Sequence, residues 1–273
     1  MARRSMARRE WAVGLAALVF MLGGSGVPPA RAEVLHRPSA NHPVAVRSDP
    51  SPSVPPSPSP SPTPTPPLPL PFPDHGTGPA GSLRTTGSAA VALTFDDGPW
   101  AYTPGVLDLL AQYHIKATFC LIGRQVAAHA DVVRRMVAEG HTLCNHTWSH
   151  DLLLRTRTPD RIRAELQRTA DAIHAVVPGA PIRYFRNPGG NFSAQTVAIA
   201  ASMGMTSIYW NVDPQDWTRP GVGAIIGNVL SRTGPGAIVL LHDGGGDRSQ
   251  TMTALRTILP AFVRRFTLIP LPG

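Results

Sequence analysis

Ala90-Val-Ala-Leu-Thr-Phe-Asp-Asp-Gly-Pro99 carries the two patterns that decide the fold. Residues 90–95 form an unbroken apolar and β-branched run, which then stops at two carboxylates, a glycine and a proline. A short apolar run closed by a turn signal reads as a strand buried on both faces, as parallel strands are. Further runs lie at 117–122, 141–144, 182–185, 206–212, 237–241 and 266–271.

Helical patterns fill the gaps. Thr103-Pro104 reads as an N-cap with proline at the first helical position, and Val106, Leu109, Leu110 and Tyr113 share a face. A second helix carries Val132, Val133, Met136 and Val137 and stops at Gly140. Thr158-Pro159 opens a third, with Ile162, Leu166, Ile173 and Val177 inward. Ser193 caps a fourth that ends near Gly204; a fifth carries Ile225, Ile226, Val229 and Leu230. The last carries Met252, Leu255, Leu259 and Phe262, with Pro260 as a candidate kink. Strand alternating with helix means a parallel α/β fold of about seven strands, either an open doubly wound sheet or a closed barrel. An eightfold barrel needs about 250 residues, so a smaller or distorted barrel fits this length better.

The front of the chain is different. Residues 1–32 read as a signal peptide: arginines first, then the charge-free stretch 11–29, then Ala30-Arg31-Ala32 with the form of a cleavage site. The alternative is an uncleaved anchor, for which the apolar core 11–22 is short against the ~20 residues of a spanning helix. Residues 33–83 read as a Pro/Ser/Thr-rich disordered linker. Between Pro50 and Pro73, 13 of 24 residues are proline, so that stretch forms an extended spacer of roughly 75 Å rather than a core. The domain proper is assigned to 84–273, where 18 basic and 13 acidic residues are scattered. With no clustered basic face, nucleic acid is excluded as a partner. Two cysteines in an exported chain are compatible with one disulfide or with two small buried hydrophobes.

Chemistry gathers where the strands end. The runs lead into Asp96-Asp97-Gly98-Pro99, Asn145-His146-Thr147-Trp148-Ser149-His150, Arg186-Asn187-Pro188-Gly189-Gly190, Asp213-Pro214-Gln215-Asp216-Trp217 and His242-Asp243-Gly244. In a parallel α/β fold all strand C-termini share one face. Asp96 and Asp97 sit at a turn from which one can bind a cation while the other acts on substrate. His146 and His150 are four apart, the spacing of two ligands on one side of a helical turn. Two imidazoles and a carboxylate suit catalytic Zn²⁺ with an open position, and equally a facial-triad iron site. His242 ends an apolar strand and suits general acid work, and Arg186 and Asp216 are natural partners for Asp96 and His242. Trp217 reads as a cleft wall or as core.

These five segments, in this order, resemble the motifs of the NodB-type polysaccharide deacetylases, carbohydrate esterase family four, over about 88–271. The resemblance implies a distorted (β/α) barrel and a divalent metal, zinc first and cobalt or another ion second. It implies Asp97, His146 and His150 as ligands and Asp96 as general base tethered by Arg186. His242 would be the general acid, tuned by Asp216, with the Gly189 N–H at the oxyanion. The substrate would be an acetylated polysaccharide, peptidoglycan first and chitin or its oligomers second. The expected protein is a secreted or cell-wall-associated monomer with no membrane span after processing. An O-acetyl esterase on xylan-type polymers, a facial-triad oxygenase and a non-catalytic wall-binding protein are the rivals. The chain departs from the family pattern at Asn187, where proline is common, and at Gly189, where tyrosine is common; the latter should widen the cleft. Cys144 stands where glycine is usual, and Cys120 ends what should be the neighbouring strand, so the two are expected to bond.

Overall fold

The structure, a computed structural model, describes residues 78–272. The signal-peptide reading and the proline tract lie outside the described residues. Leu83, assigned above to the linker, belongs to the fold: it is buried and bridges Ile208.

Six strands form one parallel sheet: β1 (Ala92–Asp96), β2 (Thr118–Leu121), β3 (Thr142–Asn145), β4 (Ile182–Phe185), β5 (Thr206–Ser207) and β6 (Ile238–His242), in the order β5-β4-β3-β2-β1-β6. The connecting helices are α1 (Thr103–Gln112), α2 (Gly123–Val126), α3 (Ala130–Ala138), α4 (Pro159–Val176), α5 (Ala194–Ser202), α6 (Val222–Arg232) and α7 (Ser249–Arg265). The sheet curls. After β5 the chain crosses to the opposite edge, where Asn211 N donates to Ile238 O and Leu240 N to Val212 O. The run 206–212 is therefore a short strand on β4 followed by a stitch onto β6. The seventh run, 266–271, adds no strand: one bridge joins Val91 to Leu268, and Leu271 bonds to the side chains of Thr118 and Thr142. Pro270 has no N–H to offer a ladder there.

The period of two along each strand sorts side chains into two environments. Leu93, Phe95, Phe119, Leu121, Leu143, Val239 and Leu241 face outward into the main core under the helices. Ala92, Cys120, Cys144, Tyr184 and Ile238 face the barrel interior. Continuing that inner row reaches His146 and Arg186 two residues on from Cys144 and Tyr184, and Asp96 and His242 four residues on from Ala92 and Ile238. The site is thus the inner row of the sheet, prolonged to its C-terminal mouth. Cys120 and Cys144 are register partners on β2 and β3 and form a disulfide.

Helix ends follow the local chemistry. Ser193 makes a capping box with Thr196 at the start of α5, and Thr158 accepts from Arg161 N at the start of α4. Thr103 is not a cap: its hydroxyl accepts from Trp100 N and donates to the buried Asp243. Pro260 lies inside α7, which continues through it. No helix among the described residues is long and apolar enough to cross a membrane.

Candidate active site

Asp96 is the last residue of β1 and points inward. Asp97 follows with φ of 73°, a left-handed conformation that turns its carboxylate to the same mouth. A non-glycine residue held there costs about 1–3 kcal/mol, a strain that recurs at functional sites. His150 shares it, with φ of 59°. The segment 146–150 is therefore not the helical turn that the spacing suggested but an irregular loop. Asn145 Oδ1 accepts from Thr147 N, Thr147 Oγ1 from His150 N, and the buried Glu165 carboxylate from both Ser149 N and Oγ. These bonds replace the helical hydrogen bonds and hold both imidazoles towards Asp97.

The result is a compact donor set. Asp97 Oδ1 lies 3.1 Å from His150 Nε2 and 3.5 Å from His146 Nε2. One ligand atom from each residue falls within 4.8 Å of the others. His146 Nδ1 donates to Arg186 O at 2.8 Å, which leaves the Nε2 lone pair facing the site. Asp97 Oδ1 is buried with no hydrogen-bond partner. Burial alone would raise the Asp97 carboxyl, but His146 and His150 outweigh it and hold it well below the ordinary range. An orphaned carboxylate oxygen facing two imidazoles, that of His146 with its tautomer fixed, fits a divalent cation.

Two further pairs flank the donors. Arg186, fully buried, donates through Nη1 to Asp96 Oδ1 at 2.7 Å and to Thr94 Oγ1, and through Nη2 to Tyr209 O. On the other side, His242 Nδ1 donates to Asp216 Oδ1 at 2.7 Å. Asp216 Oδ2 also accepts from His242 N and from Thr251 Oγ1. Burial would lower the His242 pKa, but the bond to Asp216 and the charges of Asp216, Asp96 and Asp97 push it up to about 9. The imidazolium is thus the neutral-pH form, with Nε2–H left for the cleft.

The polysaccharide deacetylase family model matches residues 83–208. A chitooligosaccharide deacetylase of Bradyrhizobium sp. (strain ANU 289) is 44% identical over 200 residues, which span 68% of this chain and 91% of the relative. The chain belongs to the polysaccharide deacetylase family.

A solved peptidoglycan N-acetylglucosamine deacetylase resembles this deacetylase at a TM-score of 0.64 and 32% identity, covering 71% of this chain and 89% of that one. A Bacillus anthracis pseudoenzyme of the same family matches at a TM-score of 0.60 and 31% identity, over 67% and 64% of the two chains. That second likeness shows that the fold alone does not confer activity. In this chain the side chains of Asp96, Asp97, His146, His150 and His242 all line one cleft. Asp216 and His242 lie beyond the segment that the family model covers, and the sheet brings them opposite Asp96 because β6 pairs with β1.

The donors floor a cleft of about 450 Å³. Trp217 stands on its rim, 53% exposed, and so is wall rather than core. Leu152, at 51% exposure, lines the cleft as well. Gly189 does not leave the gap expected from its missing side chain. A Cβ there would lie 3.2 Å from Leu152 and 3.0 Å from Asn191, so these two side chains take up much of the space. Gly189 has φ of 63°, and its N–H enters none of the loop hydrogen bonds of the described residues. At Gly190 a Cβ would strike the Trp210 and Tyr209 rings at 2.6 and 2.8 Å. Sequence reasoning gave no role to Leu152, Asn191, Trp210, Asp213 or Arg248, all of which line the cleft. The three successive leucines at 152–154, straight after a ligand motif, were the one available signal. Asp243 was also missed; burial pushes its carboxyl up to about 7 against the hydrogen bond from Thr103.

Proposed function

We propose that this domain removes N-acetyl groups from N-acetylglucosamine units of a polysaccharide, peptidoglycan first and chitin or chitooligosaccharides second, releasing acetate. The observation that carries the reading is the flanking of the donor set by a tethered carboxylate, Asp96–Arg186, and a tethered imidazolium, His242–Asp216. Base and acid end neighbouring strands beside one candidate cation position.

Asp97, His146 and His150 would hold the ion, and the donor set suits zinc. A divalent ion there supplies a Lewis acid for the acyl oxygen and makes a water more acidic. Asp96 takes the proton of the attacking water; Arg186 keeps that carboxylate aimed. The Gly189 N–H donates to the developing oxyanion. His242 gives its Nε2 proton to the departing nitrogen, so that water and amide become acetate and amine. Asp216 fixes the ring and favours its charged form. We assign the action to a monomer, exported or held at the cell wall; the disulfide supports an oxidising compartment.

Asp96→Asn and His242→Ala should each abolish acetate release while zinc stays bound, measured by acetate assay and metal analysis on the same samples. Full activity in either variant refutes the assigned roles. Acetate release from peptidoglycan, chitooligosaccharides and acetylxylan, compared side by side, ranks the polymers and tests the esterase reading.

A further inference from the structure

Two arginines are buried among the described residues, Arg186 and Arg248. Arg186 is ion-paired to Asp96. Arg248, 5% exposed, forms no ion pair with any carboxylate of the described residues. Its Nε donates to Gly244 O at 2.7 Å, and its Nη1 to Trp217 O at 3.2 Å and to Asp247 O at 3.3 Å. All three acceptors are uncharged carbonyls. The adjoining Asp247 carboxylate turns instead to Arg219, Tyr102 and Ser249 N. Both N–H groups of Nη2 are left without a protein acceptor among the described residues, and that atom is not sealed from solvent. A Cβ at Gly246 would lie 3.6 Å from Nη2, so the glycine keeps that side uncovered. Arg248 lines the cleft. A guanidinium cannot shed its proton, so only a partner offsets the cost of burying its charge. The three carbonyls orient the group without neutralising it, whereas a carboxylate from a ligand would do both.

We propose that Arg248 is an anion-binding residue of the cleft: Nη2 donates to a carboxylate that the polymer carries on the unit next to the one being deacetylated. An N-acetylglucosamine unit is itself uncharged, so the anion belongs to its neighbour. The anchors of Arg248 agree with that place. It is held by Trp217 on the rim and by the loop after β6, not by Asp97, His146 or His150. In peptidoglycan the neighbouring sugar bears a lactyl ether, whose carboxylate is free once the peptide is gone; chitin bears no such group. Arg248 thus favours peptide-free peptidoglycan strands over chitin. The inference rests on the deacetylase reading above and chooses between its two polymers.

The test is steady-state kinetics of the zinc-loaded full chain on a peptide-free peptidoglycan tetrasaccharide, against the same tetrasaccharide with its lactyl carboxylates converted to carboxamides. The two substrates differ in charge alone. Wild-type protein should favour the carboxylate form in kcat/KM by about tenfold or more, the size of a charge-assisted hydrogen bond. In Arg248→Gln, which keeps an amide donor for the loop carbonyls and loses the charge, the ratio should fall to about one. The ratio is read within one preparation, so a loss of folded protein lowers both rates alike and leaves it unmoved. Equal rates on the two forms in the wild type overturn the inference, and so does a preference that survives in Arg248→Gln. Acetate release from chitooligosaccharides but from neither form of the tetrasaccharide overturns this inference and leaves the deacetylase reading standing. Absence of acetate release from all of these and from acetylxylan overturns the deacetylase reading, and this inference with it.

Discussion

Asp216 decides the protonation of His242. Burial pulls the imidazole towards neutrality, and the 2.7 Å bond to a fully buried carboxylate reverses that pull. A histidine whose pKa is raised keeps its proton below that value and loses it as pH climbs through it. On the role proposed above, acid catalysis by His242 would be present at neutral pH and fail on the alkaline side. A bound cation offsets the charge of Asp97, so the limit in the metal-loaded protein lies at or below about 9. Asp216→Asn removes the main raising influence and leaves burial in place. The alkaline limb of the kcat–pH profile should then move down by about 1 unit or more, with a fall in kcat at neutral pH. An unmoved limb would disconnect Asp216 from the titration. Asp97, His146 and His150 were legible as a candidate donor set from residue type and spacing, and the structure brings them together. Their backbone conformations were not, because left-handed φ at Asp97 and His150 is imposed by the surrounding loop contacts rather than by the residues' own preferences.

Strands β2 and β3 carry the one covalent cross-link, between Cys120 and Cys144, 24 residues apart. Closing a loop of that length restricts the unfolded chain, worth about 3 kcal/mol. The double variant Cys120→Ala/Cys144→Ala should lose about that much in chemical denaturation, with the slope against denaturant showing whether the unfolded state has expanded. A loss below about 0.5 kcal/mol would mean that packing of the two small side chains supplies all the stability at this position. Most helices were readable from caps, Pro and Gly, as at Thr158, Ser193 and Gly140. The failures came where one run serves two neighbours. Residues 206–212 leave β4 for β6 part-way along, and 266–271 lies against β1 without laddering. Apolar periodicity reports burial, and burial is the same whether or not a ladder forms.

Across the whole domain the cation position joins the end of β1 to the loop after β3, elements more than forty residues apart in sequence. A ligand that binds only the folded state stabilises it by mass action, about 2.7 kcal/mol at a hundredfold excess over Kd. For a domain of this size that is a rise of roughly 5–10 °C in melting temperature. Zinc should give such a rise in chelator-treated protein, and His150→Ala should nearly abolish it; an equal rise in both would place the ion elsewhere. What the sequence determined by itself was the class of fold, the residue types of the site and their order, because alternation of strand and helix sends every strand end to one face. What only the tertiary structure decided was the pairing and the cleft. Arg186 reaches Asp96 and Asp216 reaches His242 because the sheet curls until the chain leaving β5 meets β6. Leu152 crowds the space beside Gly189 because a loop distant in sequence folds over it, joining Asn191 from two residues away. Local sequence sets side-chain direction and backbone preference, whereas contacts between strand ends depend on register and curvature, which the whole core fixes at once.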